Sequence, residues 1–406
     1  MATAIPECRI CGQANLEPIL SLGDMPPVNS FLNGQGDIAR ETKAPLAIAF
    51  CATCSHVQLT HQLDPKDVFT DYIYFSSMSE TIVRWGEQLA ARYSTEIFLE
   101  QKHLVAELAS NDGCILKPFR SHCRVLGVEP ARNIAEVANK DGVPTVAEFF
   151  NFKMGEVLRD KHGPADLIMA RNVLAHVPDL IDFVKGVRHW LSDDGIFHVE
   201  APYLKPMVDH LEFDTIYHEH LSYFSVTALD RLFKEAGLVL WDVEEIPLHG
   251  GSLIARGRRK GPAKPQVASY LEMEKVQGYT ANAKLHAFAE GTRKLQTALP
   301  LFLHDLKKQG SLAAYGAAAK GVVLTNYCNV GPDLLTWVAD RSPYKQGKLM
   351  PGMHLPVVGP ERVLQEKPKH LLVLAWNFFD EIVKQLAPYQ QAGGRFVVPV
   401  PVPKVR

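Results

Sequence analysis

His103-Leu-Val-Ala-Glu-Leu-Ala-Ser-Asn-Asp-Gly-Cys-Ile-Leu116, followed by Leu126-Gly-Val-Glu-Pro130, decides how this chain folds. Leu104 to Leu108 is a short apolar run interrupted by Glu107, and Ser110-Asn-Asp-Gly113 is a strong turn signal. A second apolar run over 125–128 ends on Glu129. Strand, tight turn, helix and a strand ending in an acid open a parallel α/β unit of the kind that holds a nucleoside. Small residues at the turn let the backbone approach a ligand, and the acid can accept hydrogen bonds from both ribose hydroxyls. The same pattern also suits an ordinary strand-to-helix turn with no ligand.

The Gly-x-Gly-x-x-Gly form of dinucleotide sites is absent from this stretch. Glu107 at the strand end and the Asn-Asp-Gly turn favour an S-adenosylmethionine pocket over an NAD pocket. Further along, Ala165 to Ala170 reads as another strand, with Arg171-Asn-Val-Leu-Ala-His176 at its carboxyl end. Ligands of open parallel sheets bind at such ends, which places Asn172 and His176 where chemistry is expected. Gly195 to Glu200 is a further strand, and 239–246 with 252–256 read as late strands of a hairpin around His249-Gly-Gly251.

With 406 residues the chain has room for two or three domains. A formal net charge of -2 does not suggest nucleic acid or anionic membrane as partner. The N-terminal residues lack a basic region and an apolar core, so no signal peptide is expected, and no uncharged run approaches a membrane span. Seven cysteines are too few and too unevenly spaced for a disulfide scaffold. A cytoplasmic enzyme is the resulting expectation, with enough core to stand as a monomer.

Four of the cysteines form two knuckles, Cys8-Arg-Ile-Cys11 and Cys51-Ala-Thr-Cys54. Two residues between sulfurs let each pair face one ion, and four thiolates close a tetrahedral zinc shell, so a structural zinc is expected. Redox or plain core cysteines are the competing readings. His56 reads as a bystander, and the Gly/Pro/Asn-rich residues 23–36 as a loop or hairpin. Next, Asp71-Tyr-Ile-Tyr-Phe-Ser-Ser-Met-Ser79 is rich in aromatics and hydroxyls, suiting either a lid or a packed strand-turn, and 80–93 has helical spacing.

Gly261-Pro-Ala-Lys-Pro265 is a linker, followed by one or two long helices with Leu285, Phe288, Leu295, Leu299 and Leu303 on one face. A second α/β unit begins at about 310. Its turn, Gly316-Ala-Ala-Ala-Lys-Gly321, opens a helix where backbone amides and Lys320 can meet phosphate, although a packing turn fits the residues as well. The tail Val398-Pro-Val-Pro-Val-Pro403 is expected to be extended on the surface. The fold class is therefore α/β. A zinc module over 1–75 precedes a Rossmann-like S-adenosylmethionine domain over 76–258 and a Rossmann-like C-terminal domain over 259–406.

Phe213-Asp-Thr-Ile-Tyr-His-Glu-His-Leu-Ser-Tyr-Phe-Ser225 concentrates histidines, acids and tyrosines in thirteen positions. Histidine suits proton transfer near neutral pH, a neighbouring acid fixes its tautomer, and a tyrosine hydroxyl can donate to an oxyanion. Metal binding by His218 and His220, or a polar surface loop, are the alternatives.

The paired knuckles, Glu107-x-x-Ser-Asn-Asp-Gly113, Asn172-Val-x-x-His176, Tyr217-x-Glu-His220 and His249-Gly-Gly-Ser252 occur in that order. Together they resemble the sugar C-methyltransferase family, whose S-adenosylmethionine-dependent members build branched-chain deoxysugars, and the resemblance covers essentially the whole chain. It implies methylation, at C3, of a dTDP- or GDP-linked 4-keto-6-deoxysugar. His220 would remove a carbon-bound proton beside the ketone, with Glu219 supporting it. Tyr217 and His176 would lie near the enolate oxygen, and Tyr72 or Tyr74 would close over the substrate. For the cofactor the matching positions are Ser77 or Ser79, Glu107, Ser110, Asn111, Gly113, Glu129 and Asn172. Gly316, Lys320 and Gly321 would face the sugar nucleotide's diphosphate, and the zinc would stand apart from the chemistry. An O- or N-methyltransferase, an NAD-dependent oxidoreductase using Asp340, and a zinc-stabilised binding module are the rival readings.

Overall fold

The computed structural model describes residues 2–64, 75–247 and 250–406. Three sheets dominate it. A seven-stranded central sheet runs in the order Val239–Ile246, Ser252–Arg258, Leu191–Pro202, Ala165–Arg171, Leu104–Leu108, Arg124–Val128, Thr145–Val146. The last five are parallel, and the hairpin of Val239–Ile246 and Ser252–Arg258 joins antiparallel on Leu191–Pro202. Chain order reverses between Leu104–Leu108 and Ala165–Arg171, so the crevice beyond their carboxyl ends is the place for a ligand. Leu104–Leu108 is buried along its whole length, as a strand covered on both faces must be.

Local signals explain the covering helices. Ser79, Asn151, Asp179 and Ser225 each accept a backbone N–H from the first turn of the helix that follows. One face of the sheet packs Trp190, Phe197 and Phe233, and the other packs Leu89, Tyr93 and Phe119.

The C-terminal sheet has six strands, ordered Val357–Val358, Val338–Ala339, Leu312–Tyr315, His370–Val373, Arg395–Val398, Lys404–Val405. The first five are parallel. The tail differs from the expected free surface segment. Val398 and Val400 are buried, and Lys404–Val405 returns antiparallel on Arg395–Val398 as an edge strand. Proline in the intervening turn leaves the ladder's donors intact. A single helix, Asn282–Gln309, precedes this sheet and buries Leu285, Phe288, Leu295, Leu299 and Leu303 at helical spacing.

The N-terminal sheet is assembled from two parts of the chain. Leu16–Met25, Ala44–Cys51 and Val57–Leu59 are joined by Ser222–Tyr223, which comes from far downstream. The expected loop over 23–36 is partly strand, because Leu16–Met25 continues through Gly23, and the next regular element is a 3-10 turn, Gln35–Arg40. Ile19, Leu20, Leu46 and Ile48 share one core with Leu299 and Leu303 of the long helix and Leu324 of the C-terminal domain. The domains are thus fused through apolar surface.

One buried acid that the sequence did not flag ties the linker helix to the central domain. Glu274, on the helix Pro265–Val276, is fully buried and accepts from the backbone N–H groups of Val226 and Thr227 at 2.7 and 2.8 Å. The Tyr203 and Thr227 hydroxyls donate to it as well, at 2.9 and 2.6 Å. Glu274→Leu would strand these buried donors, so urea unfolding should show a loss of about 3 kcal/mol or more.

Candidate active site

A cavity of about 2740 Å³ opens at the carboxyl ends of the central strands and is lined by all three domains. At its cofactor-side wall, Ala109, Asn111 and Asn172 hold positive φ angles of 54°, 50° and 50°. Backbone strain in three non-glycine residues around one crevice is the kind of cost that functional sites carry. Gly113, with φ 75°, completes the turn, and a Cβ there would come within 2.9 Å of the Val143 side chain. The Glu129 carboxylate accepts from the backbone N–H groups of Asn111 and Ala131, each at 2.9 Å, which clamps the turn to the end of the second strand. Asn111 Oδ1 and Asp112 Oδ2 accept from the N–H groups of Ser76 and Ser77, so the segment after the hydroxyl-rich stretch is fastened to the same turn.

Glu107 is buried, and burial pushes its carboxyl up to about 8 against the opposing effect of Arg171. Its Oε1 accepts from Arg171 at 3.5 Å, whereas the buried Oε2 and the Ser110 hydroxyl have no hydrogen-bond partner among the described residues. Unmatched acceptors and a hydroxyl beside a strained turn fit a cofactor bearing an ammonium group and a ribose. Behind Glu107 lies a network that sequence reading missed. Arg171 Nε donates to Glu200 at 2.9 Å, Trp85 Nε1 donates to Glu200 at 2.7 Å, and His198 joins Glu200 at 3.1 Å and Tyr93 at 2.6 Å. Arg171 and Glu200 stand near the carboxyl ends of neighbouring parallel strands, a position that could have drawn attention to them.

Glu107, Ser110, Asn111, Glu129, Asn172 and Ser79 all line the cavity. Ser79 spends its hydroxyl on the Ile82 N–H, capping the helix Glu80–Glu96, and Ser77 is exposed and does not line the cavity. Ser76 does. Tyr72, Tyr74 and His249 lie outside the described residues.

Across the cavity stands the 213–225 loop. His220 Nδ1 is 2.9 Å from the Thr215 carbonyl, which fixes it as the protonated nitrogen and turns Nε2 into the acceptor. The Tyr217 hydroxyl lies 2.8 Å from Nε2. Burial, then the neighbouring His176, holds the His220 pKa well below the ordinary histidine value, so the imidazole is neutral at pH 7. The His176 and His220 rings are 5.0 Å apart, and burial holds His176 down to about 4. Glu219 does not orient His220 as expected. The Thr215 carbonyl does that, and Glu219 Oε1 instead accepts from Asn29 Nδ2 at 2.7 Å. His218 is committed to the Ala44 carbonyl at 3.2 Å.

The expected phosphate turn divides. Gly316, at φ 94°, lines the cavity and allows its strand end to sit against Ala375, where a Cβ would be 2.7 Å away. Gly321 is a packing position, 3.0 Å from the Gly316 carbonyl were it to carry a Cβ. Lys320 lines the cavity but is already matched. Its ammonium is 3.2 Å from Glu212, 3.9 Å from Asp214 and 4.5 Å from the Trp376 ring. Lys345, Lys348 and Arg341 also line this side, and sequence reading passed over them.

The sulfurs of Cys8, Cys11, Cys51 and Cys54 lie within 4.8 Å of one another. Such a set matches a closed tetrahedral zinc site. The Cys54 thiol and nearby backbone amides hold Cys8 down, while burial pushes Cys11 up and the neighbouring Cys8 thiol pushes Cys54 up. His56 is no ligand. It is buried, 3.2 Å from the Ser222 hydroxyl and stacked on Phe224. The zinc module is therefore not remote from the 213–225 loop but bound to it.

Residues 8–69 match a zinc binding domain, 74–243 a methyltransferase domain, and 247–401 a C-methyltransferase C-terminal domain. The C-methyltransferase NovU of Streptomyces niveus is 36% identical over 406 residues, covering 99% of this chain and 97% of that protein. The chain belongs to the C-methyltransferase family. Among solved structures, an S-adenosylmethionine-dependent methyltransferase from Clostridium acetobutylicum overlays 44% of this chain and 92% of its own with a TM-score of 0.36 at 12% identity. Magnesium protoporphyrin IX methyltransferase from Synechocystis PCC 6803 overlays 47% of this chain and 86% of its own with a TM-score of 0.35 at 10% identity. The parallel central sheet with its chain reversal is Rossmann-like, and the family matches make this C-methyltransferase an S-adenosylmethionine-dependent enzyme with a zinc-binding cysteine cluster. No described helix is long and apolar enough to cross a membrane. Metal analysis should return one zinc per chain, and Cys54→Ser should lose it together with several degrees of melting temperature.

Proposed function

We propose that this C-methyltransferase methylates C3 of a nucleotide-linked 4-keto-6-deoxysugar, with His220 as the base. The observation that carries the reading is the His220 imidazole, neutral and with Nε2 as its accepting nitrogen, in one cavity with Glu107, Ser110 and Asn111 of the turn. A proton on carbon beside a ketone is acidic enough for an imidazole to remove, because the electron pair left behind delocalises onto the carbonyl oxygen. His220 Nε2 takes that proton, and the Thr215 carbonyl steadies the resulting imidazolium through Nδ1. The Tyr217 hydroxyl, resting on Nε2, moves to the ketone oxygen and donates to the developing enolate, and His176 lines the same wall. Tyr72 or Tyr74 would cover the sugar.

S-adenosylmethionine supplies the methyl group. Glu107 Oε2 would hold its ammonium, Glu129 its ribose, and Ser110, Asn111, Gly113 and Asn172 the rest of its pocket, with Ser79 at the rim and Ser77 further out. Gly316 and the cavity-lining Lys345 and Lys348 suit the diphosphate better than Lys320, which Glu212 and Asp214 already neutralise.

Two outcomes test the reading. With its carboxyl raised to about 8, Glu107 is protonated at neutral pH until a cation pairs with it. Cofactor affinity measured by calorimetry should therefore rise with pH through about 8, by at most tenfold per unit, and then level off. Arg171, Glu200 and Asp112 are the charged groups facing Glu107, and Glu107→Gln should flatten the dependence while leaving them in place.

The base is tested by incubating the enzyme with dTDP- and GDP-linked 4-keto-6-deoxysugars in deuterated buffer. Mass spectrometry and NMR should show a new carbon-bound methyl group with cofactor, and deuterium at C3 with S-adenosylhomocysteine in its place. His220→Ala should lower both by roughly 10²- to 10⁴-fold. Methylation on oxygen or nitrogen, without carbon exchange, would overturn the reading.

A further inference from the structure

The loop bearing Tyr217, Glu219 and His220 is held largely by the zinc module. Ser222 pairs with Gln58 and Tyr223 with Val57, and the Leu59 N–H donates to the Leu221 carbonyl at 3.0 Å. The Ala44 carbonyl holds His218, and His56 holds Ser222. The methyltransferase sheet side contributes the Ala175 carbonyl, which accepts from the Leu221 N–H at 2.7 Å. Into this frame the module sends Asn29, whose amide reaches a carboxyl 190 positions away in sequence.

Asn29 is itself fixed. Its neighbour Val28 is buried in the core, and Leu32 is bridged to Leu349 of the C-terminal domain. Both Asn29 and Glu219 line the cavity. Glu219 is 8% exposed, and among the described residues it forms no ion pair and receives one side-chain hydrogen bond, from Asn29. A buried carboxyl with no cation needs a donor to fix its orientation and to make its charged form accessible. Burial raises Glu219 to about 7, and the Asn29 amide opposes that rise.

We propose that Asn29 is a positioning residue for the methyl transfer: by donating from Nδ2 to Oε1 of Glu219, it presents Oε2 to a substrate hydroxyl. The zinc module then forms one wall of the catalytic centre as well as bracing it. This inference rests on the reading of 217–220 as the reacting segment.

The test uses full-length, zinc-loaded enzyme and dTDP-4-keto-6-deoxyglucose, with deuterium exchange at C3 and methyl transfer as readouts. Asn29→Leu keeps the shape without the donor, Asn29→Asp replaces the donor with a like charge, and Asn29→Ser retains a hydroxyl donor. We expect kcat to fall at least tenfold in the Leu and Asp variants, with KM, cofactor affinity and zinc content within twofold of wild type. The Ser variant should recover part of the loss. Wild-type turnover in Asn29→Leu, a rise in KM alone, equal losses in the Ser and Leu variants, or lost zinc would each overturn the proposal. His220→Ala run beside them separates the two readings. If it is inactive while Asn29→Leu is normal, the positioning role alone fails; if it is fully active, the reacting segment is wrong and this inference falls with it.

Discussion

The pairing of Val57–Leu59 with Ser222–Tyr223 is the contact on which the catalytic arrangement turns. Upstream of it, Cys51 and Cys54 are locked to Cys8 and Cys11 in a four-sulfur cluster, and three residues later the chain enters the strand that carries the loop. Leading into the partner strand, Tyr217 and His220 come just before Ser222. An antiparallel pair this short has little stability by itself. It persists here because the metal shell fixes one end, while Leu221 and Tyr223 are buried in the core the module shares with the C-terminal domain. Metal coordination, main-chain pairing and apolar burial therefore act in series on one imidazole. The zinc can be purely structural in its chemistry and still determine where the His220 imidazole stands.

A second constraint operates beneath the cofactor wall. Arg171 sits between Glu107 and Glu200; both acids are buried, and the arginine side chain is 8% exposed. One cation cannot satisfy two carboxylates equally. Glu200 takes the closer contact and the Trp85 and His198 bonds, and its carboxyl is held at about 2, through Arg171 above all, despite burial. Glu107 keeps the long 3.5 Å contact and is pushed up to about 8. This asymmetry leaves Glu107 as the acid with an affinity for a further cation, while Glu200 holds Arg171 in place. The arrangement lies on the strand ends and is rigid for that reason.

Much of this was legible in the chain itself, for physical reasons. The strand and turn at 104–113 and the acid at Glu129 follow from local pattern, because the φ angles and hydrogen bonds of a turn are local, whereas the helix expected after that turn is only a five-residue 3-10 turn, Lys117–Ser121. Cys-x-x-Cys knuckles announce their chemistry through spacing alone, and the long helix shows its buried face through periodicity. What was not legible depends on residues far apart in sequence. Ser222–Tyr223 offers no sign that it completes another module's sheet, nor Asn29 that it meets Glu219. The supporting group for His220 was assigned to an adjacent side chain, whereas the fold uses a backbone carbonyl, a group every residue carries and no sequence can single out. Lys320 looked like a phosphate ligand because its turn opens a helix, but its acidic partners come from 212–214, more than a hundred positions earlier.

That last pairing also bears on how a lysine can sit near the His220 imidazole. The Lys320 charge contributes to lowering the His220 pKa, because a nearby positive charge disfavours the imidazolium. Glu212 and Asp214 surround the ammonium, Trp376 covers it, and the Trp376 indole donates to Asp214 at 2.6 Å. Asp214 is raised to about 6 by burial, so its neighbour's positive charge is what keeps it ionised at neutral pH. The two acids stand 3.2 and 3.9 Å from the ammonium and oppose its charge there. The C-terminal domain can then pack directly against the 213–225 loop, closing the cavity on its third side, while burial and His176 lower the proton affinity of the His220 imidazole and the Thr215 carbonyl raises it.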